Sequence, residues 1–476
     1  MLNKFQKAAI AAMTAATLIA CGNFDVTNPN QPTLDDLLSN PTRTKLSAAA
    51  SGLFARSRSE ITSLIWRLGS MGREGINLAG NNQPDYQEPY FGPLSPSGFG
   101  GALWGSRYAL IRDANTYIEA LANNHDLSAG EKAVSQAMAQ TLKALAFMYI
   151  VETRGKLGAP VDVGRAIDAA PAAFVTQDSV YGYAIGLLTD AYAKLQANPA
   201  ASFPFALPPG YSGFDTPPTF GKFVQALIAK ANVLRATAGC GAACYTKAIT
   251  ALTNSFIDTS SPATLQNGVY FDFSNAPSDQ VNDLSEPLNG VRYFADSLIL
   301  YQRVQYNGLT PDVRLTSKTA ASTSDAPQSI AGVDITGTLK FTRYFTDGQP
   351  DPSHPIPIIK NEELILLRAE AEWFTAQKAL AVTDLNYVRT NSGGLLPVAG
   401  LSAASTDAAF VSALLYEREF SLLWEQGTTW IDARRFNLLS TIPLGVTNGS
   451  VPAVMPIPSA ECNARNLGGN CNPLGS

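Results

Sequence analysis

Apolar residues recur at three- to four-residue steps along much of the chain, a spacing that predicts a mainly α-helical protein. Trp104, Tyr108, Ile111, Ile118 and Leu121 mark one stripe, and Met138, Leu142, Leu145 and Tyr149 mark the next. Val180, Ala184, Leu187, Ala191 and Leu195 form a third, and Phe220, Leu227, Ala231 and Leu234 a fourth. Further on, Leu364, Leu367, Ala371 and Phe374 share a face, and Ala381, Leu385 and Val388 follow in a partner helix. A helix over 409–426 carries Tyr416, Phe420, Leu423 and Trp424, with Gly427 placed as its stop and Thr429 opening another. Thr429 and Asp432 fit a Thr-x-x-Asp helix start, which gives that aspartate a capping task. Arg434 and Arg435 lie one turn on and are expected to reach Glu417, Glu419 or Glu425, as an arginine fork between helices.

Polar and turn-forming residues interrupt the stripes in three places. Residues 74–103 are rich in Gly, Pro and Asn with interspersed aromatics, and 257–360 form a second irregular block. Long loops of this kind inside a helical chain point to a binding face. The third interruption, "FPFALPPGYSGFDTPP" at 203–218, is read as a helix-to-helix link with turns set by Pro and Gly. Flat rings can cover the apolar face of a sugar while neighbouring amides and carboxylates bond its hydroxyls. The candidates are Trp66, Tyr86, Tyr90, Phe91 and Trp104 from the first region, with Tyr270, Phe271 and Tyr293 from the second. For each ring, packing beneath a loop is the competing role, and Trp104 begins a stripe that points inward.

Charge narrows the choice of partner. Only 15% of residues are charged and the net charge is −5, so there is no positive field to gather nucleic acid. Lys4 and Lys7 precede an apolar run from Ala8 to Ala20, too short for a membrane span of about 20 residues and suited to a secretory signal. "LIAC" at 18–21 looks like a bacterial lipobox, which makes Cys21 a lipid anchor and the Asn- and Pro-rich residues after it a tether. Segment 1–20 is then the signal peptide, 21–41 anchor and tether, and 42–476 a single domain. Cys240, Cys244, Cys462 and Cys471 remain. In an exported chain two local disulfides, 240 to 244 and 462 to 471, are the simplest pairing, with the two other connectivities left open. With two histidines in the chain, metal ligation has little support.

Alanines in "KALAF", "AEAEW" and "QALIAKAN" would let paired helices approach closely, which resembles tetratricopeptide-type hairpins. The stretch "YEREFSLLWEQGTTWIDARRFNLL" resembles the C-terminal signature of the SusD/RagB family of outer-membrane nutrient-binding lipoproteins. Glu417, Arg418, Glu425, Gly427, Trp430, Asp432, Arg434 and Arg435 match it, while Thr429 replaces a commonly basic residue. "RAEAEW", "LNYVRTNSG" and "MPIPSAE" keep the family's order, and "WGSRYALIRDANTYIEAL" and "TLKALAFMYIVETRGKLGAPV" are similar to its early helices.

The resemblance implies a helical-hairpin scaffold with long irregular loops and few short strands. It also implies a protein anchored by lipid at the outer membrane and facing the cell exterior. Its implied role is to capture an oligosaccharide or peptide and act as a lid on a TonB-dependent, SusC-like transporter, with no cofactor of its own. Two other classes fit the residues. One is a glycan hydrolase using carboxylates among Asp272, Asp279, Asp283 and Glu286. The other is a passive helical interaction scaffold.

Overall fold

A computed structural model describes residues 34–79, 84–166, 168–324 and 337–475; Cys21, the signal segment and most of the tether lie outside the described residues. Helices α1 (Leu34–Ser39), α2 (Arg43–Ser57) and α3 (Ile61–Gly72) open the chain. A short strand, Gly75–Asn77, and helix α4 (Pro84–Phe91) follow. Then come α5 (Gly105–Asn123), α6 (Ala129–Arg154), α7 (Gln177–Ala197), α8 (Pro217–Arg235) and α9 (Ala242–Thr253). After an irregular stretch holding α10 (Ser297–Arg303) and α11 (Val313–Lys318), the helical series resumes with α12 (Asn361–Trp373) and α13 (Lys378–Asn391). Helices α14 (Asp407–Ser421), α15 (Thr428–Arg435) and α16 (Ser459–Ala464) complete it.

From α5 to α9, and on to α12 and α13, each helix packs on the one before it, so the stripes face one another in helical hairpins. Local chemistry sets their ends. Ser128 and Glu131 form a reciprocal capping box that starts α6, and Gly155, at φ +51°, ends it. Thr216, bonded to Thr219 and followed by two prolines, starts α8. The alanines act as spacers: Ala144, Ala184, Ala191, Ala229 and Ala231 are fully enclosed between helices. A satellite core under α12 to α14 is built around Trp373 and Phe410, stacked 4.1 Å apart. Both local disulfides are formed, Cys240 to Cys244 at the start of α9 and Cys462 to Cys471 at α16.

Among the described residues, the irregular stretches contribute only two-stranded ladders. Gly75–Asn77 pairs with Tyr293–Ala295, Gly268–Phe271 with Ile356–Lys360, and Thr319–Ala321 with Leu339–Phe341, all antiparallel. The first ladder ties the two irregular blocks together. Residues 74–103 are folded into the protein more than their composition suggests: Ile76, Leu78, Tyr86, Tyr90 and Phe99 are all buried.

The C-terminal signature is a brace, with partners that differ from those expected. Helix α14 stops at Ser421, and Gly427 lies before α15 instead of closing α14. Its φ of +64° and its position explain the residue: a Cβ there would sit 2.3 Å from the Leu68 Cβ. Helix α15 begins at Thr428, and its start is capped by Glu74, whose carboxylate accepts from the Thr429 and Trp424 amides at 3.3 and 3.0 Å. Asp432 therefore does not cap. It lies between Arg418 and Arg435, accepting at 2.6 and 2.7 Å. Arg435 also forks onto Glu370, with one contact at 2.6 Å, and Arg434 donates to the Glu152 carbonyl and lies over the Trp430 ring.

The three expected glutamates are occupied elsewhere. Glu417 is held by Arg314 and Arg389 at 2.7 and 2.8 Å, and Glu419 pairs with Arg303. Glu425 meets Arg343, Lys360 and Lys318 at 2.6, 2.9 and 3.0 Å. Burial alone would raise the Glu425 carboxyl, but these three cations outweigh it and hold it well below the usual carboxylate range.

Candidate ligand-binding cleft

The loop between α7 and α8 is fixed at its centre by Tyr211, which is enclosed by Phe54, Phe220 and Phe223. That anchor lays the turn Pro209–Tyr211 flat against the strand Gly268–Phe271. Gly210 makes the approach possible, because a Cβ there would come within 2.0 Å of the Tyr270 carbonyl oxygen. Beyond the turn, Ser212, Gly213 and Phe214 form one wall of a cleft of ≈ 930 Å³. The opposite wall comes from the start of the second irregular block, with Phe256, Asp258, Gln266, Asn267, Tyr270 and Asp272.

Phe214, Phe256 and Tyr270 are half-buried and line the cleft. Phe214 and Phe256 meet edge to face at 4.8 Å, and the Tyr270 hydroxyl donates to the Gln266 carbonyl. Asp272 and Asp279 share Arg58, whose guanidinium lies 3.6 Å from the first and contacts the second while facing the Phe273 ring. The cleft thus offers flat apolar surface beside hydroxyls, amides and carboxylates.

The ring candidates fall into three groups. Tyr270 lines the cleft. Trp66 of α3 and Tyr293 of the second irregular block come together with ring centroids 6.3 Å apart, and Phe99 of the first block joins them. Arg67 stacks over Trp66 at 4.4 Å and Arg292 over Tyr293 at 4.9 Å, yet both rings are enclosed, at 5% and 4% exposure. Tyr86, Tyr90, Phe91, Trp104 and Phe271 sit in packing. Tyr90 is fully enclosed, donates to Asp296 at 2.9 Å and lies beneath Arg73. Tyr86 is buried with it, and Phe91 packs against the same small core. Trp104 stacks on Phe174, and Phe271 belongs to the main core.

The four loop carboxylates do not form one acid–base pair. Asp272 and Asp279 meet at Arg58, Asp283 lies beside Arg292, and Glu286 is bonded to Lys340. Burial would raise the Glu286 carboxyl, but Lys340 prevails and lowers it, the opposite of what a proton donor at neutral pH needs.

A second concavity of ≈ 760 Å³ lies between α14, α15 and the turn near Ile442, walled by Val411, Leu415, Phe374 and Phe436. Its charged members are all paired: Glu419 with Arg303, Asp432 with Arg418 and Arg435, and Asp407 with Lys378 and the Trp373 indole.

Sequence reasoning misses Phe214, which lies in the 203–218 link, and also Phe256 and Asp258, which stand at the very start of the second irregular block where nothing in the local pattern singles them out. The 203–218 segment does join α7 to α8, and it also walls the cleft. The segment carries the same signal as the two irregular blocks: its aromatics stand among Pro and Gly.

No family model matches the chain, and no curated protein matches it. Solved structures do. A SusD superfamily protein from Bacteroides vulgatus superposes with a TM-score of 0.66 at 13% identity, covering 90% of this chain and 98% of that one. NanU of B. fragilis gives a TM-score of 0.64 at 16% identity over 92% and 98% of the two chains. A SusD-like carbohydrate-binding protein from Bacteroides fragilis gives 0.62 at 16% identity over 89% and 98%. At such identities the likeness establishes the SusD-like fold.

Proposed function

We propose that this chain, a SusD-like fold, is a cell-surface binding lipoprotein that captures an oligosaccharide or peptide nutrient and serves as a lid on a TonB-dependent outer-membrane transporter. The observation that carries the reading is the cleft. Three half-buried rings stand beside polar groups in a volume within the usual range for small-ligand sites, about 300–1,000 Å³. Rings of this kind stack on apolar sugar faces or side chains, and the hydroxyls, amides and carboxylates around them give direction.

Cys21 would hold the protein at the membrane, and the polar residues after it would give the domain reach. Import energy belongs to the transporter and its partners, so the lid needs only to bind and release. The test is affinity purification of the full-length protein from gently solubilised outer membranes, with mass spectrometry of what accompanies it. A large TonB-dependent barrel in near-equal amount is expected. Its absence would sink the lid reading, and shortening of an oligosaccharide by the purified protein would replace binding with hydrolysis.

A further inference from the structure

We infer that the cleft between 209–214 and 256–279 selects uncharged oligosaccharides and discriminates against acidic ones; the inference rests on the binding function proposed above. Asp258, Asp272 and Asp279 all line the cleft, and no Lys, Arg or His does so among the described residues. The cations behind the lining are consumed: Arg58 spans Asp272 and Asp279 with its side chain only 10% exposed, and Lys360, which reaches Gln266, is buried and paired with Glu362 and Glu425. With Lys360 offset by its own glutamates, Arg58 alone is set against three carboxylates, and the lining keeps an excess of negative charge.

A uronate or sulfate group is recognised by a guanidinium or ammonium that can approach it, commonly a forked arginine. Here an acidic group would face carboxylates and no cation free to pair with it. A sugar hydroxyl meets the opposite situation. It donates, and a carboxylate is the strongest acceptor available to it. Asp258 sits at the rim with one oxygen taking the Ser260 amide at 2.8 Å, which leaves acceptor capacity on the other. Asn267 is exposed beside it and can both donate and accept.

The strand in the cleft argues against a peptide as the main ligand. Peptides commonly bind such surfaces by pairing with a free strand edge. Gly268–Phe271 has one edge paired with Ile356–Lys360, and the turn at Gly210 lies against its Tyr270 backbone.

The test uses the full-length protein in detergent, a glycan array, and titration calorimetry with matched probes: cellohexaose and maltohexaose against hexagalacturonate and a sulfated chondroitin hexasaccharide. At least one neutral glycan should bind, at least tenfold more tightly than any acidic probe. Raising salt tenfold should leave the neutral affinity within about twofold. The rim substitution Asp258→Lys, at a residue outside the core, should improve the affinity for the acidic probes at least fivefold. Tightest binding to an acidic glycan, or to peptides alone, overturns the inference and leaves the lid reading standing. Silence across the array also overturns it, and absence of a co-purifying barrel then removes the lid reading as well.

Discussion

The C-terminal brace and the cleft use similar side chains to opposite ends. In the brace, Glu425, Asp432, Glu417 and Glu370 are buried, and each is met by at least one cation within hydrogen-bonding distance. In the cleft, Asp258, Asp272 and Asp279 are half-buried or exposed, and one arginine serves two of them. Buried charges must be matched, because an unmatched one costs several kcal/mol, whereas solvated charges can be left with bonding capacity to spare. The difference separates what holds the protein together from what remains available to a visitor.

Breaking the brace should have the largest effect. Glu425→Ala strips the shared acceptor from Lys318, Arg343 and Lys360, and a loss of about 3–5 kcal/mol in unfolding free energy is expected from urea titration. The ligand affinity of the folded fraction should stay within twofold. A loss below about 1 kcal/mol would mean that the freed cations recover water and that the region is less closed than described.

Next in size is an acid without a matched partner. Burial pushes the Glu152 carboxyl up to about 7 from an ordinary 4.5. The folded state therefore holds the extra proton between those values. The contribution to stability is complete below about pH 4.5 and is lost as pH rises to about 7. Glu152→Gln should remove that decline, so that the variant gains roughly 2–3 kcal/mol on the wild type in going from pH 4.5 to pH 8. Unfolding curves at the two pH values test this, and parallel behaviour of the two proteins would refute it.

The cleft should respond in the reverse manner. Tyr270→Ala and Phe214→Ala are each expected to weaken ligand binding at least tenfold, about 1.4 kcal/mol, and to shift unfolding by less than that. Calorimetry and thermal unfolding on the same samples decide it; a large stability loss with affinity intact would make these rings structural. Smallest is Arg434→Ala. That guanidinium is held by the Glu152 carbonyl and the Trp430 ring, so about 1 kcal/mol of stability should go, with affinity unchanged.

Much of the scaffold was legible in the sequence because amphipathic spacing is a local property. The stripes around Met138, Val180, Phe220, Leu364 and Ala381 all fall in helices that pack on one another. The signature marked the brace but not its pairings, since Arg435 finds Glu370 65 residues away and Arg314 reaches Glu417 across 103. Nothing in a short window encodes such meetings. The cleft is legible only in part for the same reason: Tyr270 stands out in an aromatic, turn-rich stretch, whereas Phe214 becomes relevant only when its loop is laid against that strand. Composition alone could not separate the half-buried ring of Tyr270 from the enclosed ring of Tyr90, because both sit in stretches rich in turn-forming residues.

Glu74 ties the end of α3 to the start of α15 across 355 residues of chain. During synthesis the N-terminal part emerges first, and its buried acid waits for acceptor-seeking amides that have not yet been made. A contact of such high order closes late, after the intervening hairpins have shortened the path between its ends. Until then Leu68, against which Gly427 packs in the finished protein, lacks that cover. A chain truncated ahead of Trp424 should therefore behave as an arrested folding intermediate, sought by proteases, and not as a smaller version of the protein.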